Sequence, residues 1–446
     1  MVVDLFIVCV GLMLLGVQAA ILVLLVQDSS KDAEFHCYRF YSPQAWFTLF
    51  FGLYFFLPAF VSLLPGHHII GFEAEATRFR LQSAVTAQFY LLTFLIAVFG
   101  GSRLTAQMLP PRVDGRPLRF RRTAMKGVDQ LLLLTFFICG LLATMYLAWK
   151  NIGSESMRSA LVKSTNGKIL TSISFFGNFA FAVFLARSLV RRRILMAVAV
   201  VAIFVPAVFL TGSRGRFLWP CALALVYLFS YRNAFDVRKI VIAATIALSV
   251  LVFSDTILLV LKDDRELSFA GFRNLFIKRN FDGFANFTLI STFDQIPRRP
   301  LVALVGARQE FMYHYFPSAY QKGVGFGATW PGMSWIAGGW IGLLIGGVVY
   351  GYILGAVNAL FRKIEDERLF WAYLFAMTWL CAAAGNIHES LDKMAVAAAP
   401  GVVWFIFNQR VAKKKAPTPP PPPENKNKNK PRRRRRTREA IVGATE

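Results

Sequence analysis

The sequence predicts an all-α polytopic membrane protein with about eleven transmembrane helices and one large outward loop. Its residues are 56% hydrophobic and 17% charged, whereas a soluble protein has about 45–50% apolar and about 25% charged residues. The apolar residues also form runs long enough to cross a hydrocarbon core of about 30 Å. Because these runs are continuous rather than alternating, they exclude a transmembrane β-barrel.

The predicted spans begin at the first residues of the sequence. The first run starts at Val2, is too long for the apolar region of a signal peptide and follows no basic segment, so we expect it to be retained as a span. The predicted spans cover about 3–27, 45–66, 84–101, 129–149, 169–187, 194–211, 216–231, 240–261, 334–361, 369–385 and 393–408.

The basic residues predict the orientation of these spans. They follow the third span (residues 103–126), the fifth (187–193), the seventh (232–239), the ninth and the last, all of which are odd-numbered. Positively charged loops stay in the cytoplasm, so we expect the N-terminus outside and the C-terminus in the cytoplasm. The placement of basic residues in alternate loops therefore explains the net charge of +25 through membrane topology. We expect no nucleic-acid partner.

One outward loop, residues 262–333, is much longer than the others, which are 67–83, 150–168, 212–215 and 386–392. Loops of this length in compact proteins are usually functional. Within it, residues 267–287 have apolar side chains near helical spacing with basic residues between them, which predicts an interfacial amphipathic helix whose apolar face meets lipid.

The ninth span is rich in glycine, at positions that include 338, 339, 342, 346, 347, 351 and 355. Small residues at four-residue spacing let helix backbones approach closely. We therefore expect this span to be a packing helix, with no chemistry of its own.

The sequence predicts two domains, a transmembrane domain at 1–411 and a Pro-rich, polybasic cytoplasmic tail at 412–446. The tail contains PTPPPPP, a stiff spacer, followed by the low-complexity segment ENKNKNKPRRRRRTR. Two interpretations stay open, a plain solvated tail and a segment that binds anionic membrane lipid.

The stretch LTGSRGRFLWP, residues 210–220, places Arg214 and Arg216 between two apolar segments at the predicted outer face. Ser213 could cap the following helix, whose first N–H groups and positive dipole end face the same place. Two guanidinium groups beside a helix N-terminus predict an anion site, to which phosphate is well matched. The alternative is that both side chains reach lipid headgroups.

A second polar segment, GNIHESLDK, lies in the predicted outward turn between the last two spans. It brings His388, Glu389, Asp392 and Lys393 to the membrane face that holds the arginines. An apolar boundary disfavours a charged carboxylate and neighbouring cations favour it, so this turn could provide a general base. The alternative is an ordinary polar turn.

Other polar residues are weaker candidates. Asp255 lies inside the eighth predicted span, where a carboxylate indicates function, with Arg214 or Arg216 as its partner. Asp282 is a further acid or base candidate. The cluster KDDRE (262–266) could ligate a cation but is more typical of a solvated helix end, and the five scattered cysteines have no metal-ligand spacing. We expect no metal and no cofactor.

Taken together, three features resemble the Wzy-type O-antigen and oligosaccharide repeat-unit polymerases, and most closely the enterobacterial common antigen branch. These features are a span that runs into an outward TGSRGR, a long basic outward loop, and a span that opens with GGWIGLLIGGVVYGYILG. The resemblance covers roughly residues 194–408. Where that branch reads Arg-Glu-x-Leu-Asp, this chain reads HESLD, so His388 replaces an arginine.

The resemblance implies a metal-independent glycosyltransferase with a GT-C-like architecture in the bacterial inner membrane, with its site facing the periplasm. Such an enzyme transfers a growing glycan from undecaprenyl pyrophosphate to the next lipid-linked repeat unit, and a chain-length regulator is an implied partner. Applied to this chain, it implies pyrophosphate binding by Arg214, Arg216, Arg273, Lys278 and Arg279. The catalytic candidates are then Glu389, His388 and Asp392, and Glu389 is the first choice for the base. Additional site residues are Asp255, Asp282 and Arg308.

Alternatives to polymerisation remain. An O-antigen ligase uses the same donor with a lipid A–core acceptor, and a lipid-linked sugar flippase would be expected to have internal repeats, broken helices and charges near the midplane. Aromatic residues of the long loop could either stack on sugars or anchor the loop at the interface; they are Tyr313, Tyr315 and Trp330.

Overall fold

The computed structural model describes residues 2–28, 41–63, 81–109, 127–151, 165–210, 215–232, 283–292, 313, 314, 317, 329–364, 366–382 and 387–415, and these residues are almost entirely helical. The α-helices are α1 (Val2–Asp28), α2 (Pro43–Phe51), α3 (Leu57–Ser62), α4 (Leu81–Met108), α5 (Gly127–Asn151), α6 (Thr165–Val190), α7 (Ile194–Leu210), α8 (Gly215–Arg232), α9 (Gly283–Ser291), α10 (Trp330–Phe361), α11 (Glu367–Ala382) and α12 (Ile387–Lys415).

Seven helical segments of the described chain are long and apolar enough to cross a membrane. Two shorter apolar helices, Ile194–Val208 and Trp219–Leu228, accompany them. The prediction of an all-α polytopic membrane protein is therefore confirmed. The number of eleven spans stays a prediction, because the eighth predicted span, 240–261, lies outside the described residues. The seven segments are Asp4–Asp28, Pro43–Ser62, Leu81–Met108, Gly127–Trp149, Ile169–Val190, Trp330–Phe361 and Leu391–Gln409.

A π-helical segment, Gly52–Phe56, joins α2 to α3. Its cause is Pro58, which has no N–H to donate to the Tyr54 carbonyl one α-helical turn earlier. The helix widens instead, and the N–H of Leu57 donates to the carbonyl of Gly52. Single π-turns inside α-helices often occur at functional sites, and this one presents Tyr54 and Phe55 to the interior of the bundle.

Glycine brings α4 and α10 into close contact, as the sequence predicts. A Cβ added to Gly351 would collide with the carbonyl oxygen of Val98, and one added to Gly101 would collide with that of Val348. Gly355 lies against Thr105 in the same interface. Gly140 of α5 and Gly177 of α6 meet in the same way, so small residues set the helix separation at two interfaces.

At one end of the bundle, a buried ionic cluster joins α5, α6, α8, α11 and α12. Nη2 of Arg187 donates to both carboxylate oxygens of Glu367, at 3.0 and 3.1 Å, and the Tyr227 hydroxyl donates to Oε1 of Glu367 at 2.6 Å. The indole of Trp404 donates to Oδ1 of Asp129 at 2.9 Å. The charge pattern predicts all five of these helix ends on the cytoplasmic side, and they do lie together.

The same cluster contains a second arginine. Nη2 of Arg368 lies 3.8 Å from Oδ1 of Asp129. The guanidinium carbons of Arg187 and Arg368 each lie 5.6 Å from the centre of the Trp404 ring. The cluster is therefore a network of paired charges around one aromatic ring, which is the form in which buried charge is stable.

The described part of the long outward loop includes a helix inside the bundle. In α9, residues Gly283–Ile290 are all buried, and Phe284 and Phe287 have no exposed surface. The predicted interfacial amphipathic helix is therefore wrong for residues 283–287, while 267–282 lie outside the described residues. Hydrophobic spacing alone does not distinguish a helix face that meets lipid from one that meets protein.

The chain divides into two compact units, residues 1–405 and 406–446. All the contacts described above and below lie within the first unit.

Candidate functional site

Helix α10 is a helical hairpin rather than one continuous helix. The ring centroids of Trp330 and Tyr350 lie 4.4 Å apart, whereas twenty residues of straight helix would separate them by about 30 Å. A Cβ added to Gly342 would collide with the carbonyl oxygen of Ser334, and one added to Gly346 with its hydroxyl. Residues 330–337, here called the half-helix, therefore run back along residues 340–361.

The chain reverses at two adjacent glycines, of which only Gly339 has a positive φ. Gly338 has φ −162° and ψ 18°, and Gly339 has φ 58° and ψ −130°. A positive φ with this ψ is accessible essentially to glycine alone. The prediction of a ninth span in this region is confirmed, but its first residues, 334–337, belong to the half-helix and not to the spanning part. Only residues 340–361, about 33 Å at 1.5 Å per residue, are long enough to cross the bilayer.

The N-terminal end of the half-helix closes a cavity, here called the Thr329 cavity. The space in it that is free for a water-sized molecule is about 20 Å³, which is room for about one water. Its walls are mainly aromatic and come from α2, the π-helical segment, α4, α10 and α11. The described residues that line it are Phe47, Phe50, Phe51, Tyr54, Phe55, Phe94, Thr329, Trp330, Pro331, Tyr350 and Cys381.

The polar groups of this cavity differ in their hydrogen bonding. The Tyr350 hydroxyl donates to the carbonyl of Leu380 at 3.0 Å, and the Cys381 thiol donates to that of Pro43 at 3.8 Å. The Thr329 hydroxyl has no hydrogen-bond partner, although only 7% of that residue is exposed. A buried polar group without a partner costs about 1–3 kcal/mol, so the hydroxyl is a group that a ligand could satisfy.

Thr329 is the N-cap residue of the half-helix, but its side chain makes no capping hydrogen bond. Its carbonyl accepts from the N–H of Met333 at 2.8 Å. Pro331 has no N–H to offer, and the N–H of Gly332, in the first turn, has no acceptor within the helix. A donor from the backbone therefore lies beside the Thr329 hydroxyl at this end of the half-helix.

Two pieces of the long loop support the cavity. Thr329, Trp330 and Pro331 form part of its wall, and α9 packs behind them. A Cβ added to Gly283 would lie 3.0 Å from the carbonyl oxygen of Tyr54, and one added to Gly332 would lie 2.9 Å from Cδ1 of Ile290. The described parts of residues 283–333 that carry these contacts therefore lie among the helices.

The predicted arginine site lies at the boundary of the described chain. Arg214 lies outside the described residues, and Arg216 is in the first turn of α8, where its backbone alone is described. Four residues, 211–214, connect Leu210 at the end of α7 to Gly215 at the start of α8. The short connection agrees with the predicted turn.

The HESLD segment is helical, which corrects the predicted loop 386–392. Helix α12 begins at Ile387, so positions 388 and 392 share one helix face and positions 389 and 393 share a neighbouring one. The side chains of His388 and Glu389 lie outside the described residues, and that of Asp392 is exposed. The Nζ atom of Lys393 lies 6.0 Å from the centre of the Trp379 ring.

The remaining site predictions are not tested by the structure. Arg273, Lys278, Arg279, Asp255, Asp282 and Arg308 lie outside the described residues. Within the described chain, no group of three or more His, Cys, Asp or Glu residues could hold a metal ion. Of the predicted sugar-stacking residues, Trp330 is buried in the cavity wall, Tyr313 is 61% exposed, and Tyr315 lies outside the described residues.

The sequence analysis missed the half-helix and the Thr329 cavity, although two signals were present. The predicted span, 334–361, is longer than the roughly 20 residues that cross a bilayer, and the Gly338–Gly339 pair interrupts it near its start. A glycine-interrupted apolar segment is a known pointer to a binding site in membrane proteins.

Comparison with known proteins gives no relative to which this chain can be assigned. No protein-family model, no curated protein and no solved structure matches the chain.

Proposed function

We propose that this protein is a membrane glycosyltransferase that polymerises lipid-linked oligosaccharide repeat units at the outer face of the bacterial inner membrane. The observation that carries the proposal is the pair Arg214 and Arg216 where two apolar helices meet: Arg214 belongs to the short connection between α7 and α8, and Arg216 to the first turn of α8. Arginine at membrane depth is costly, about 2.5–3.5 kcal/mol at the centre of a span. A pair of arginines beside a helix N-terminus therefore favours an anionic ligand such as pyrophosphate.

In the proposed reaction, a hydroxyl oxygen of the acceptor unit attacks the anomeric carbon of the donor glycan. The bond between that carbon and the pyrophosphate oxygen breaks, and undecaprenyl pyrophosphate leaves with the electron pair. Arg214 and Arg216 stabilise the charge that develops on the leaving oxygen, and this charge is greater in the transition state than in the ground state. Glu389 takes the proton from the attacking hydroxyl, with His388 as the second candidate.

The described structure supports this proposal in its coarse features. It has several membrane-spanning helices, a four-residue connection at the arginine pair, and a large loop whose described parts pack among the helices. Asp392 is exposed near the start of α12.

The test is a glycan ladder from cells that express single variants at equal membrane abundance. Arg214→Ala and Arg216→Ala should each abolish long chains, because the leaving pyrophosphate loses a cation. Arg193→Ala is the matched control, since Arg193 is an exposed arginine in the predicted cytoplasmic turn between α6 and α7. Wild-type chain length in both test variants would contradict the proposal.

A second candidate is a flippase or transporter of lipid-linked sugars, which the broken helix α10 favours. Discontinuous helices whose half-helix ends face a central site are typical of transporters. The two functions differ in their products. Loss of a polymerase leaves single lipid-linked units at the outer leaflet, whereas loss of a flippase leaves them at the inner leaflet, so lectin labelling of spheroplasts distinguishes them.

A third candidate is an O-antigen ligase, which uses the same donor as the proposed polymerase but a different acceptor. Loss of a ligase leaves long glycan on the lipid carrier and none on lipid A–core. The anchor of the accumulated glycan therefore separates this reading from polymerisation.

A further inference from the structure

The buried face of α8 can be followed from the middle of the helix back to its first turn. Pro220, Leu223, Ala224 and Tyr227 are all buried, and they share one face because an α-helix repeats every 3.6 residues. Position 216 is in phase with positions 220, 223 and 227. The helical backbone therefore places Arg216 on the buried face of α8, which is turned to the other helices.

A pair of aromatic rings joins this face of α8 to α2. Trp219 lies about one turn after Arg216 in α8, and its ring centroid lies 4.7 Å from that of Phe50, with 30° between the ring planes. Phe50 is buried. Aromatic pairs contribute about 0.5–1.5 kcal/mol beyond the area that they bury, so this contact helps to hold the start of α8 in place.

A second contact gives the direction in which the two segments run. The hydroxyl of Tyr41, just before α2, donates to the carbonyl of Val226 at 3.2 Å, whereas Phe50, near the end of α2, contacts Trp219. Later residues of one segment thus meet earlier residues of the other, and the two are antiparallel. The turn of α8 that carries Arg216 therefore lies toward the turn that follows Phe50, which is the π-helical segment.

Phe50 is a fixed support for Trp219 because the π-helical segment is packed independently of α8. The Tyr54 ring lies parallel to that of Phe50 within 8°, at a centroid distance of 6.0 Å. On its other side, Gly283 of α9 lies so close to the Tyr54 carbonyl that an added Cβ would be 3.0 Å from its oxygen. The position of α8 is therefore referred to a rigid part of the bundle.

We propose that Trp219 is a positioning residue for Arg216. By packing on Phe50 it holds the first turn of α8 so that the guanidinium group serves a substrate within the protein and not a lipid headgroup. Precise placement matters in catalysis, since an error of about 1 Å can cost about a hundredfold in rate. This inference rests on the proposed function, from which it takes a pyrophosphate as the ligand of Arg216.

The test is a double-mutant cycle between positions 216 and 219. The measurement is the affinity of the full-length protein, in lipid nanodiscs, for farnesyl diphosphate. Arg216→Ala should weaken binding about tenfold, as expected for the loss of a hydrogen bond from a charged group, and Trp219→Ala should weaken it by a similar factor. In the Arg216→Ala background, Trp219→Ala should have no further effect, because the ring acts only through the arginine.

Two further variants examine the contact itself. Trp219→Phe keeps an aromatic ring against Phe50 and should bind the diphosphate as the wild type does. Phe50→Leu removes the ring on the other side and should reproduce the loss, so it also replaces Trp219→Ala if that variant does not accumulate in the membrane.

A purely structural role of Trp219 would give a different pattern. Its loss would then weaken diphosphate binding by the same factor with and without Arg216. Phe204→Leu is the control for general loosening, because Phe204 stacks on Phe181 at 4.6 Å and joins α6 to α7. This variant should lower the melting temperature and leave the affinity for the diphosphate unchanged.

Three results would overturn the inference. They are wild-type affinity in Arg216→Ala, wild-type affinity in Trp219→Ala, and losses that multiply in the double variant. Failure of the proposed function looks different, because it is read from the glycan ladder. If Arg214→Ala and Arg216→Ala both leave the ladder intact while the cycle still shows coupling, the polymerase proposal fails and the positioning role stands. If the ladder needs the arginines but the cycle shows no coupling, the positioning role alone fails.

Discussion

Arg187 and Glu367, which are 180 residues apart in the sequence, form a buried ion pair in which one guanidinium nitrogen donates to both carboxylate oxygens. The carboxylate also accepts from Tyr227, so three helices meet at a single acidic side chain. The Arg187 side chain is 13% exposed and the Glu367 side chain 4% exposed. Water therefore screens the attraction between the two charges only a little.

Glu367→Gln should destabilise the protein severely, because it leaves the Arg187 charge buried without its counter-ion. Breaking a buried pair from one side costs about 3–5 kcal/mol. The measurement is the loss of folded protein on heating in detergent, and Arg193→Ala, at an exposed arginine, is the control. A double variant, Arg187→Met with Glu367→Leu, should lose less than Glu367→Gln alone; an equal or greater loss would contradict this account of the pair.

The reversal of α10 should depend on Gly339 and not on its neighbour. Gly339→Ala places a side chain at φ 58° and ψ −130°, which costs about 1–3 kcal/mol. Gly338→Ala is the matched control, because a Cβ added there would meet nothing within 4 Å. Thermal unfolding of both variants gives the comparison. Equal behaviour of the two variants would argue against a glycine-dependent hairpin.

Two adjacent glycines of α4 allow a second paired comparison. A Cβ on Gly101 would meet the carbonyl oxygen of Val348, whereas a Cβ on Gly100 would meet nothing within 4 Å. Gly101→Ala should therefore separate α4 from α10 and lower the melting temperature. Gly100→Ala should stabilise the helix by about 0.5–1 kcal/mol. If both substitutions were neutral, glycine would not set the separation of these helices.

Glu389→Gln should reduce glycan transfer while leaving binding of farnesyl diphosphate near the wild-type level, because the amide keeps the shape of the side chain and cannot accept the proton. The measurement is polymer formed per molecule of protein in isolated membranes. Asp392→Asn provides a comparison on a neighbouring face of α12. Unchanged turnover in Glu389→Gln would remove Glu389 as the base.

Hydropathy predicted the helical class and most of the described spans because a bilayer requires long apolar segments whatever their partners are. The glycine spacing of the ninth span likewise predicted close packing, which Gly351 and Val98 display. The sequence analysis missed the hairpin because the mean hydropathy of a segment carries no information about the direction in which the chain runs. Gly338 and Gly339 keep the hydropathy high while they reverse the chain.

The start of α12 was misplaced for a related reason. His388, Glu389 and Ser390 are polar, so the pattern favoured a turn, but helix boundaries depend on packing as well as on composition. The burial of α9 could not be predicted because its apolar face suits lipid and protein equally well. The predicted roles of Arg214, Glu389 and the other site residues stay predictions that the proposed variants test.

The half-helix also has a consequence for how the protein is made. Residues 330–337 are too few to cross a bilayer, so the insertion machinery cannot place them as an independent span. They reach their position only after α2, α4 and residues 340–361 of α10 have been inserted and can receive them, since all three contribute walls around Thr329. The Thr329 cavity is therefore completed late in biogenesis, because the half-helix has no Tyr350 to pack against until the residues after Gly338 have been synthesised.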